Sequence, residues 1–356
     1  MSLTVTSRRD KAPAAAQRVR TIAVVTNPSA DHGKGRVTGE KALRCLREAC
    51  GRIGCRVIDL TGNSRQDSLR RVRSMMTSID ALVVVGGDGM VSLGVNVVAD
   101  CDMPLGIIPC GSGNDFVRGL GYPIGNIDLT SQAIASALYH HSSVHLDLGH
   151  AVSAEDDGNR FNTFFAGMLN CSIDAAINDR ANHSQLPFGG LRYLEAGIWE
   201  ATHVQDYGFH VEAHHANGTV TTYDLLTPLV VIANARYIGS GIEASPDSRL
   251  DDGLLEMLWA KWRPSGIRAL KILAKAYRGK HATDPLIGYR SLTGVTINYG
   301  AWGAEPPVLM ADGEKIGKLP VHVDVHPKAL RLLVPPRVKQ QWQSAAHVGT
   351  AGWEKE

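Results

Sequence analysis

Residues 82–96 read LVVVGGDGMVSLGVN, and this stretch narrows the choice of fold more than any other in the chain. Leu82 to Val85 make an unbroken, β-branched apolar run, the pattern of a strand covered on both faces. Gly-Gly-Asp-Gly stops it, and residues 90–99 resume as a mostly apolar helix. Glycines lack Cβ, so their backbone N–H groups can approach a partner closely. A helix N-terminus adds unpaired N–H donors and partial positive charge. Strand, glycine turn and helix in that order can hold a phosphate. A tight turn without a ligand is the plain alternative.

The same alternation runs through the first half. Strands are predicted at Thr21–Thr26, Cys55–Leu60, Leu82–Val85 and Leu105–Pro109, with helices at Val37–Cys50, Asp67–Ser78 and 90–99 between them. This predicts an α/β domain over residues 20–143, with a parallel sheet and helices on both faces. Its loops at the carboxyl ends of the strands should converge on one crevice. From about residue 144 the texture changes. Strand candidates follow at Val144–Leu148, Phe161–Phe165, Phe209–Ala213, Thr219–Leu226, Leu229–Asn234, Leu254–Trp259, Gly294–Tyr299, Val308–Ala311, Val321–His326 and Leu330–Pro335. Few helices separate them, apart from about 187–204 and 264–278, so residues 144–320 read as an antiparallel β-sandwich. Residues 321–336 carry C-terminal strands that could return to the first domain. Residues 1–19 form a basic lead-in expected to be disordered, and the polar stretch from Arg337 to 356 is expected to fray.

A length of 356 residues with 44% apolar and 20% charged residues suits two folded domains, and a net charge of +2 gives no case for nucleic acid. No apolar run approaches the roughly 18 residues of a membrane span, and the N-terminus lacks a secretory core, so a cytoplasmic protein is expected. Cys45, Cys50, Cys55, Cys101, Cys110 and Cys171 contain no C-x-x-C pair, which argues against zinc and for reduced thiols.

Three loops of the first half share one chemistry. NPSADHGKG (27–35) offers Asn27, Ser29 and the cation Lys34. GGDG offers backbone donors and Asp88, and GSGND offers Gly111, Ser112, Gly113, Asn114 and Asp115. Glycines and hydroxyls can cradle phosphate oxygens, Lys34 can offset their charge, and carboxylates can hold Mg²⁺. The loops carry neither the Walker spacing nor G-x-G-x-x-G, so a nucleotide triphosphate site built from several loops is expected. In the second half, PDSRLDDGLLEM places Asp251 and Asp252 before a strand, and ADGE places Asp312 and Glu314 in a turn. Asp-Gly is a common hairpin turn, but carboxylates are also what takes a proton from a hydroxyl nucleophile.

NPSADHGKG, GGDGMVSLGVN, GIIPCGSGNDFVR, ANARYIGSGIEASPDSRLDDGLLE and ADGE, in this order, resemble the soluble lipid kinases of the diacylglycerol kinase catalytic-domain family. The resemblance runs from about residue 20 to 335. It implies a two-domain lipid kinase with an ATP site between the domains. Carried over by position, Thr61, the segment Gly86, Gly87, Asp88, Gly89, Met90, Val91 and Ser92, and Ser112 would contact ATP. Asn27 and Lys34 would lie in the first phosphate-side loop. Asp88 and Asp115 would organise Mg²⁺ and phosphates, Glu314 would accept the proton, and Asp312 is the reserve candidate. The RLDDGL turn resembles a structural Mg²⁺ site using the Asp252 side chain and the carbonyls of Arg249 and Leu254. Met90 and Leu93 stand where the family carries threonine and glutamate, and Cys171 where glycine is usual.

The function expected is transfer of the γ-phosphate from ATP to a lipid hydroxyl, with diacylglycerol as the leading acceptor. The alternatives are a weakly active or non-catalytic nucleotide-binding protein at a membrane, suggested by Met90 and Leu93, and an NAD kinase, which also carries GGDG. Such a substrate implies peripheral contact with the inner face of the membrane, and a homodimer is compatible with it. Residues 261–280, KWRPSGIRALKILAKAYRGK, mix apolar and basic side chains at helical spacing. They could lie on anionic lipid or pack on the sandwich with a solvated basic face.

Overall fold

The computed structural model describes residues 20–30, 34–154, 160–184 and 204–344, together with residues 195, 196 and 199. The expected helix at 187–204 lies almost wholly outside the described residues, as do the lead-in and residues 345–356. The first half alternates as β1 (Thr21–Thr26), α1 (Lys34–Gly51), β2 (Arg56–Asp59), α2 (Arg65–Met75), β3 (Ala81–Gly86), α3 (Asp88–Val98), β4 (Leu105–Pro109), the short α4 (Asp115–Arg118) and α5 (Ile127–Tyr139). The second half holds β5 (Ser143–Ser153), β6 (Asn162–Phe165), β7 (Met168–Asn170), α6 (Ile173–His183), β8 (Tyr207–His214), β9 (Val220–Thr227), β10 (Val230–Ala233) and the short pair β11 (Tyr237–Ile238) and β12 (Ile242–Glu243). It continues with β13 (Leu255–Ala260), α7 (Gly266–Ala276), β14 (Ile287–Leu292), β15 (Gly294–Tyr299), β16 (Leu309–Ala311), β17 (Glu314–Gly317), β18 (Val321–Leu333) and α8 (Pro336–Gln343).

Strands β2, β1, β3 and β4 pair in parallel in that order. β1 and β3 are buried along almost their whole length, which is why they read as continuous apolar runs. On one face, Leu43, Leu46 and Ala49 of α1 meet Ile134 and Leu138 of α5. On the other, Val91, Val95 and Val98 of α3 pack with Val72 of α2. The order 2-1-3-4 puts the ends of β1 and β3 side by side, so the loops that follow them open on one crevice.

The sheet does not end there. β18 pairs in parallel with β4 through Leu332 and Leu105, then in antiparallel fashion with β5 and β15; β6 on β5, and β8 and β9 beyond β15, complete a ten-stranded sheet. A six-stranded sheet, β14-β13-β10-β7-β16-β17, faces its antiparallel part. Phe165, Phe209, Val211, Met257, Val295 and Val323 fill the space between. Sequence expected two strands at 321–326 and 330–335. One strand runs through both, with a bulge between His326 and Leu330 where Lys328 takes positive φ. Buried Asp147 fixes that bulge by accepting the Lys328 N–H at 2.7 Å. β5 and β18 thus serve both halves of the molecule.

The stretch from Arg337 does not fray at once. α8 continues to Gln343, with Val338 buried and Trp342 packed on the core.

Candidate active site

Two glycine loops meet back to back at the crevice. A Cβ built on Gly111 would fall 2.3 Å from the Gly87 Cα, and one built on Gly87 would fall 3.0 Å from the Gly111 Cα. Glycine at both positions is therefore a steric need of the contact. The Cys110 N–H donates to the Gly86 carbonyl at 3.0 Å, which locks the loops in register. Asn114, buried and in the left-handed region, accepts the Gly111 N–H at 3.0 Å and donates to the Gly111 carbonyl at 2.6 Å. Its side chain shapes the loop from within, while Ser112 stands exposed at the tip.

Behind this contact begins α3. Gly87 caps it without any side-chain hydrogen bond. The N–H groups of Met90 and Val91 donate to the Gly87 carbonyl. That leaves the N–H groups of Asp88 and Gly89 as the donors for a phosphate oxygen. The carried-over positions Met90, Val91 and Ser92 follow in the first turn of α3. Their side chains are buried, and Met90 packs under Gly86, where a Cβ would meet its Cγ at 2.4 Å. They support the phosphate loop from behind. Leu93 is likewise a core residue, 2% exposed. The glutamate and threonine that the family carries are replaced here by packing.

Asp88 and Asp115 divide their labour. Asp88 Oδ1 accepts the N–H groups of Asp115 at 2.8 Å and Phe116 at 3.4 Å, capping α4. Its Oδ2 faces Gly113, whose Cβ would come within 2.6 Å. Burial raises the Asp88 carboxyl above its ordinary pKa, and the nearby Asp115 charge adds to this. Asp115 also faces Gly113, with its Oδ2 3.3 Å from where a Cβ would stand. Its Oδ2 accepts the Ser240 N–H at 2.9 Å and its Oδ1 the Gly241 N–H at 2.8 Å, so it ties the β11–β12 hairpin to the phosphate loop. Burial raises its pKa too, against the pull of these two donors and of Arg118.

The turn between β16 and β17 brings the second half to the crevice. Asp312 and Gly313 both have positive φ, the two-residue hairpin geometry that Asp-Gly favours. Asp312 Oδ2 accepts the Ala166 N–H at 2.8 Å, and Oδ1 accepts those of Gly167 at 2.7 Å and Met168 at 3.1 Å. Burial pushes its carboxyl up to about 6, with the Asp88 charge contributing and the three N–H donors opposing. These bonds hold the Asp312 carboxylate against the β6–β7 connection and fix the turn that carries it. Glu314, next on the turn, is exposed and stands across the crevice at the first turn of α3. A Cβ on Gly89 would lie 3.1 Å from Glu314 Oε1.

The remaining candidates line the other wall. Asn27 Oδ1 accepts the Ser29 N–H at 3.1 Å in a local turn, and Gly35 packs so tightly there that a Cβ would meet the Asn27 carbonyl at 2.2 Å. Lys34 opens α1 as an exposed residue. Thr61 Oγ1 accepts the Thr26 N–H at 3.0 Å and so joins the ends of β2 and β1. One cation went unread in the sequence. Arg65 donates to the Gly89 carbonyl at 3.0 Å and reaches Ser92 Oγ at 3.5 Å, bracing the first turn of α3. Its position in a helix of many arginines gave no signal.

The RLDDGL turn lies apart from this crevice. Asp252 Oδ1 accepts the Leu254 N–H at 3.1 Å, Arg249 pairs with Asp251 at 3.2 Å, and Gly253 donates to Asp147 at 2.7 Å. Burial raises Asp252 above its ordinary pKa, and the Asp147 and Asp251 charges raise it further. A cation held by the Asp252 carboxylate would relieve that crowding.

Among the described residues, no group of three or more His, Cys, Asp or Glu side chains could hold a metal ion without help. Mg²⁺ in phosphoryl-transfer sites commonly takes one or two carboxylates and completes its shell with phosphates and water. The carboxylates at the crevice fit that pattern. A triphosphate placed against these carboxylates alone would meet like charge, which a divalent cation would offset.

The diacylglycerol kinase catalytic domain family matches residues 21–151, and the YegS C-terminal NAD kinase beta sandwich-like domain family matches residues 167–334. A "Diacylglycerol kinase" of Mycobacterium tuberculosis (strain ATCC 25618 / H37Rv) is 29% identical over 315 residues, covering 88% of this chain and 95% of that one. One of Bacillus subtilis (strain 168) is 25% identical over 264 residues, covering 74% and 78%. Among solved structures, a diacylglycerol kinase from Bacillus anthracis str. Sterne superposes with a TM-score of 0.61 at 20% identity, covering 90% of this chain and 98% of that one, and so shares its fold. With the two glycine loops, the Asp-Gly turn and both matches in place, the chain belongs to the diacylglycerol kinase catalytic-domain family of lipid kinases.

Proposed function

We propose that the protein transfers the γ-phosphate of ATP to the free hydroxyl of diacylglycerol, giving phosphatidic acid and ADP. The observation that carries this reading is Glu314 set against Gly89. A solvent-reachable carboxylate from the sandwich stands at the free N–H donors of α3. The relatives named diacylglycerol kinase support diacylglycerol as acceptor.

In this reading the N–H groups of Asp88 and Gly89 hold phosphate oxygens, while Ser112 and Thr61 line the approach of the nucleotide. Asp88 would hold Mg²⁺ through its carboxylate. The ion, when bound, neutralises triphosphate charge and polarises the phosphoryl oxygens. Glu314 takes the proton from the lipid hydroxyl as that oxygen bonds to the γ-phosphorus and the bond to the bridging oxygen of ADP breaks. Being exposed, Glu314 can pass the proton to water. Asp312 keeps its three N–H partners throughout and fixes the turn that presents Glu314. Arg65 holds the α3 end in place from behind.

The test is transfer of labelled γ-phosphate from Mg-ATP to diacylglycerol, ceramide, sphingosine, monoacylglycerol and phosphatidylglycerol in mixed micelles, with NAD as a control. Label in phosphatidic acid is the expected result. Label in a different lipid would replace the acceptor, and label in the NAD product would overturn the lipid reading.

A further inference from the structure

α7 is an amphipathic helix with its apolar stripe turned outward. Ile267, Leu270, Ala274 and Tyr277 recur at three- and four-residue intervals, so they share one face. All four are exposed, with Ile267 at 73% and Leu270 at 68%. Leu273 flanks this stripe and Trp262 precedes the helix, both exposed. The side packed on the protein carries buried Ala276 and half-buried Ala269 and Ile272. Arg268 and Lys275 bend inward to buried Asp284, at 2.6 and 2.8 Å. The body of the protein thus takes up Ala269, Ile272 and Ala276 and pairs with two cations, and leaves Ile267, Leu270 and Tyr277 in solvent.

The charge around that stripe has one sign. Residues 261–280 hold Lys261, Arg263, Arg268, Lys271, Lys275, Arg278 and Lys280, and no aspartate or glutamate. Arg263 pairs with Asp206, but among the described residues Lys271, Arg278 and Lys280 form no salt bridge. Exposed aliphatic and aromatic side chains fringed by unneutralised cations match an anionic bilayer surface, which takes the first into its acyl boundary and the second among its headgroups.

The helix is also joined to the crevice. Just past it, Gly279 sits so close to Glu243 that a Cβ would fall 2.7 Å from Oε2, and His281 bonds the Ala244 carbonyl at 2.9 Å. Glu243 ends the hairpin whose Ser240 and Gly241 are held by Asp115. A docking element here lies one hairpin away from the phosphate loop.

We propose that α7, with Trp262 and Lys280 at its ends, is the surface by which this protein docks on anionic membranes. The proposal gives the membrane-resident substrate of the preceding section a point of entry, and its test needs no turnover. Full-length protein would be co-sedimented with vesicles of phosphatidylglycerol and phosphatidylcholine, and with phosphatidylcholine alone. Binding to the anionic vesicles is expected, with little to the neutral ones. Ile267→Ser/Leu270→Ser should weaken it about tenfold through lost apolar insertion. Lys271→Glu/Lys280→Glu should weaken it about 25-fold or more. Both sets are exposed, so melting temperatures should stay at the wild-type value. Phosphorylation of a water-soluble short-chain acceptor should also be unchanged, which separates docking from chemistry. If no acceptor is ever phosphorylated, the vesicle result still stands. Undiminished vesicle binding by both variants would overturn the proposal. So would a wild-type dimer in sedimentation velocity that Ile267→Ser/Leu270→Ser dissociates, since the stripe would then be covered by a second copy.

Discussion

Gly87 and Gly111 lie in backbone contact, with 2.3 Å between the Gly87 Cα and any Cβ at position 111. The contact fuses the loop after β3 with the loop after β4 into one floor. A methyl group there meets backbone, which cannot swing aside. Gly111→Ala must push the loops apart, at a cost of about 1–3 kcal/mol in stability. A displacement near 1 Å at the phosphate site should lower kcat/KM for ATP about 100-fold. Steady-state kinetics with a thermal melt checks both. An unaltered kcat/KM would show that the nucleotide does not use this floor.

Asp115 makes a sharper prediction, because its observed contacts add a structural role to the expected one. Its oxygens are occupied by Ser240 and Gly241, 125 and 126 positions away in the chain. Asp115→Asn leaves an amide NH₂ facing one of those N–H donors. The hairpin should loosen, and hydrogen exchange at Ser240 and Gly241 should speed up about tenfold for a loss of roughly 1.4 kcal/mol. Activity should fall with it. Lost activity without faster exchange would instead assign Asp115 to Mg²⁺.

Met90 and Leu93 invite restoration of the family's threonine and glutamate. Their burial predicts the opposite of a gain. Leu93→Glu puts a carboxylate among apolar side chains and should cost about 3 kcal/mol or more. Met90→Thr leaves a void beneath Gly86 and should cost roughly 1–3 kcal/mol. Lower melting temperatures and no rise in turnover are expected. A sharp rise would support the weakly active reading and show that the phosphate loop is under-equipped as it stands.

The parts that could be read in the sequence share a physical cause. Strands buried on both faces leave continuous apolar runs, so β1, β3 and β4 stand out in the sequence. α5 was missed because Thr130 and Ser131 interrupt its apolar pattern. Both are buried, and both return their hydroxyls to the carbonyls of Asn126 and Ile127. β17 was missed because an edge strand of Glu-Lys-Ile-Gly has no apolar face to announce it. Within the site, the glycines and carboxylates were legible as residue types, since only certain chemistry needs them together. Their partners were not. That Asp312 serves Ala166 to Met168, and Asp115 serves Ser240, depends on contacts between distant segments, which no local pattern encodes.

Glu256 sets a pH dependence outside the crevice. It lies on β13, 5% exposed, with the Ser291 hydroxyl at 2.9 and 3.0 Å from its two oxygens. Burial raises its carboxyl from 4.5 to about 7. A raised acid favours the folded state where it is protonated. That contribution is full below about pH 4.5 and is lost as pH rises through 7. It amounts to something on the order of 3 kcal/mol. Glu256→Gln should flatten this part of the stability curve and melt higher than wild type at pH 8. Parallel curves for the two proteins from pH 5 to 8 would mean that Glu256 is ionised throughout.

Glu314 and Asp312 share a turn but should fail in different ways. Glu314→Gln removes the proton acceptor and leaves the fold untouched, because the side chain is exposed. Turnover should drop about 10²–10⁴-fold, with ATP affinity and melting temperature held. Asp312→Asn sets an NH₂ group against one of the three N–H donors of Ala166, Gly167 and Met168, and an unsatisfied buried donor costs about 1–3 kcal/mol. Its loss should appear first as a lower melting temperature, with activity falling because Glu314 is no longer presented to the first turn of α3. Turnover kept by Glu314→Gln but abolished by Asp312→Asn at an unchanged melting temperature would exchange the two roles, and would place the base on the residue whose carboxyl burial has already lifted to about 6.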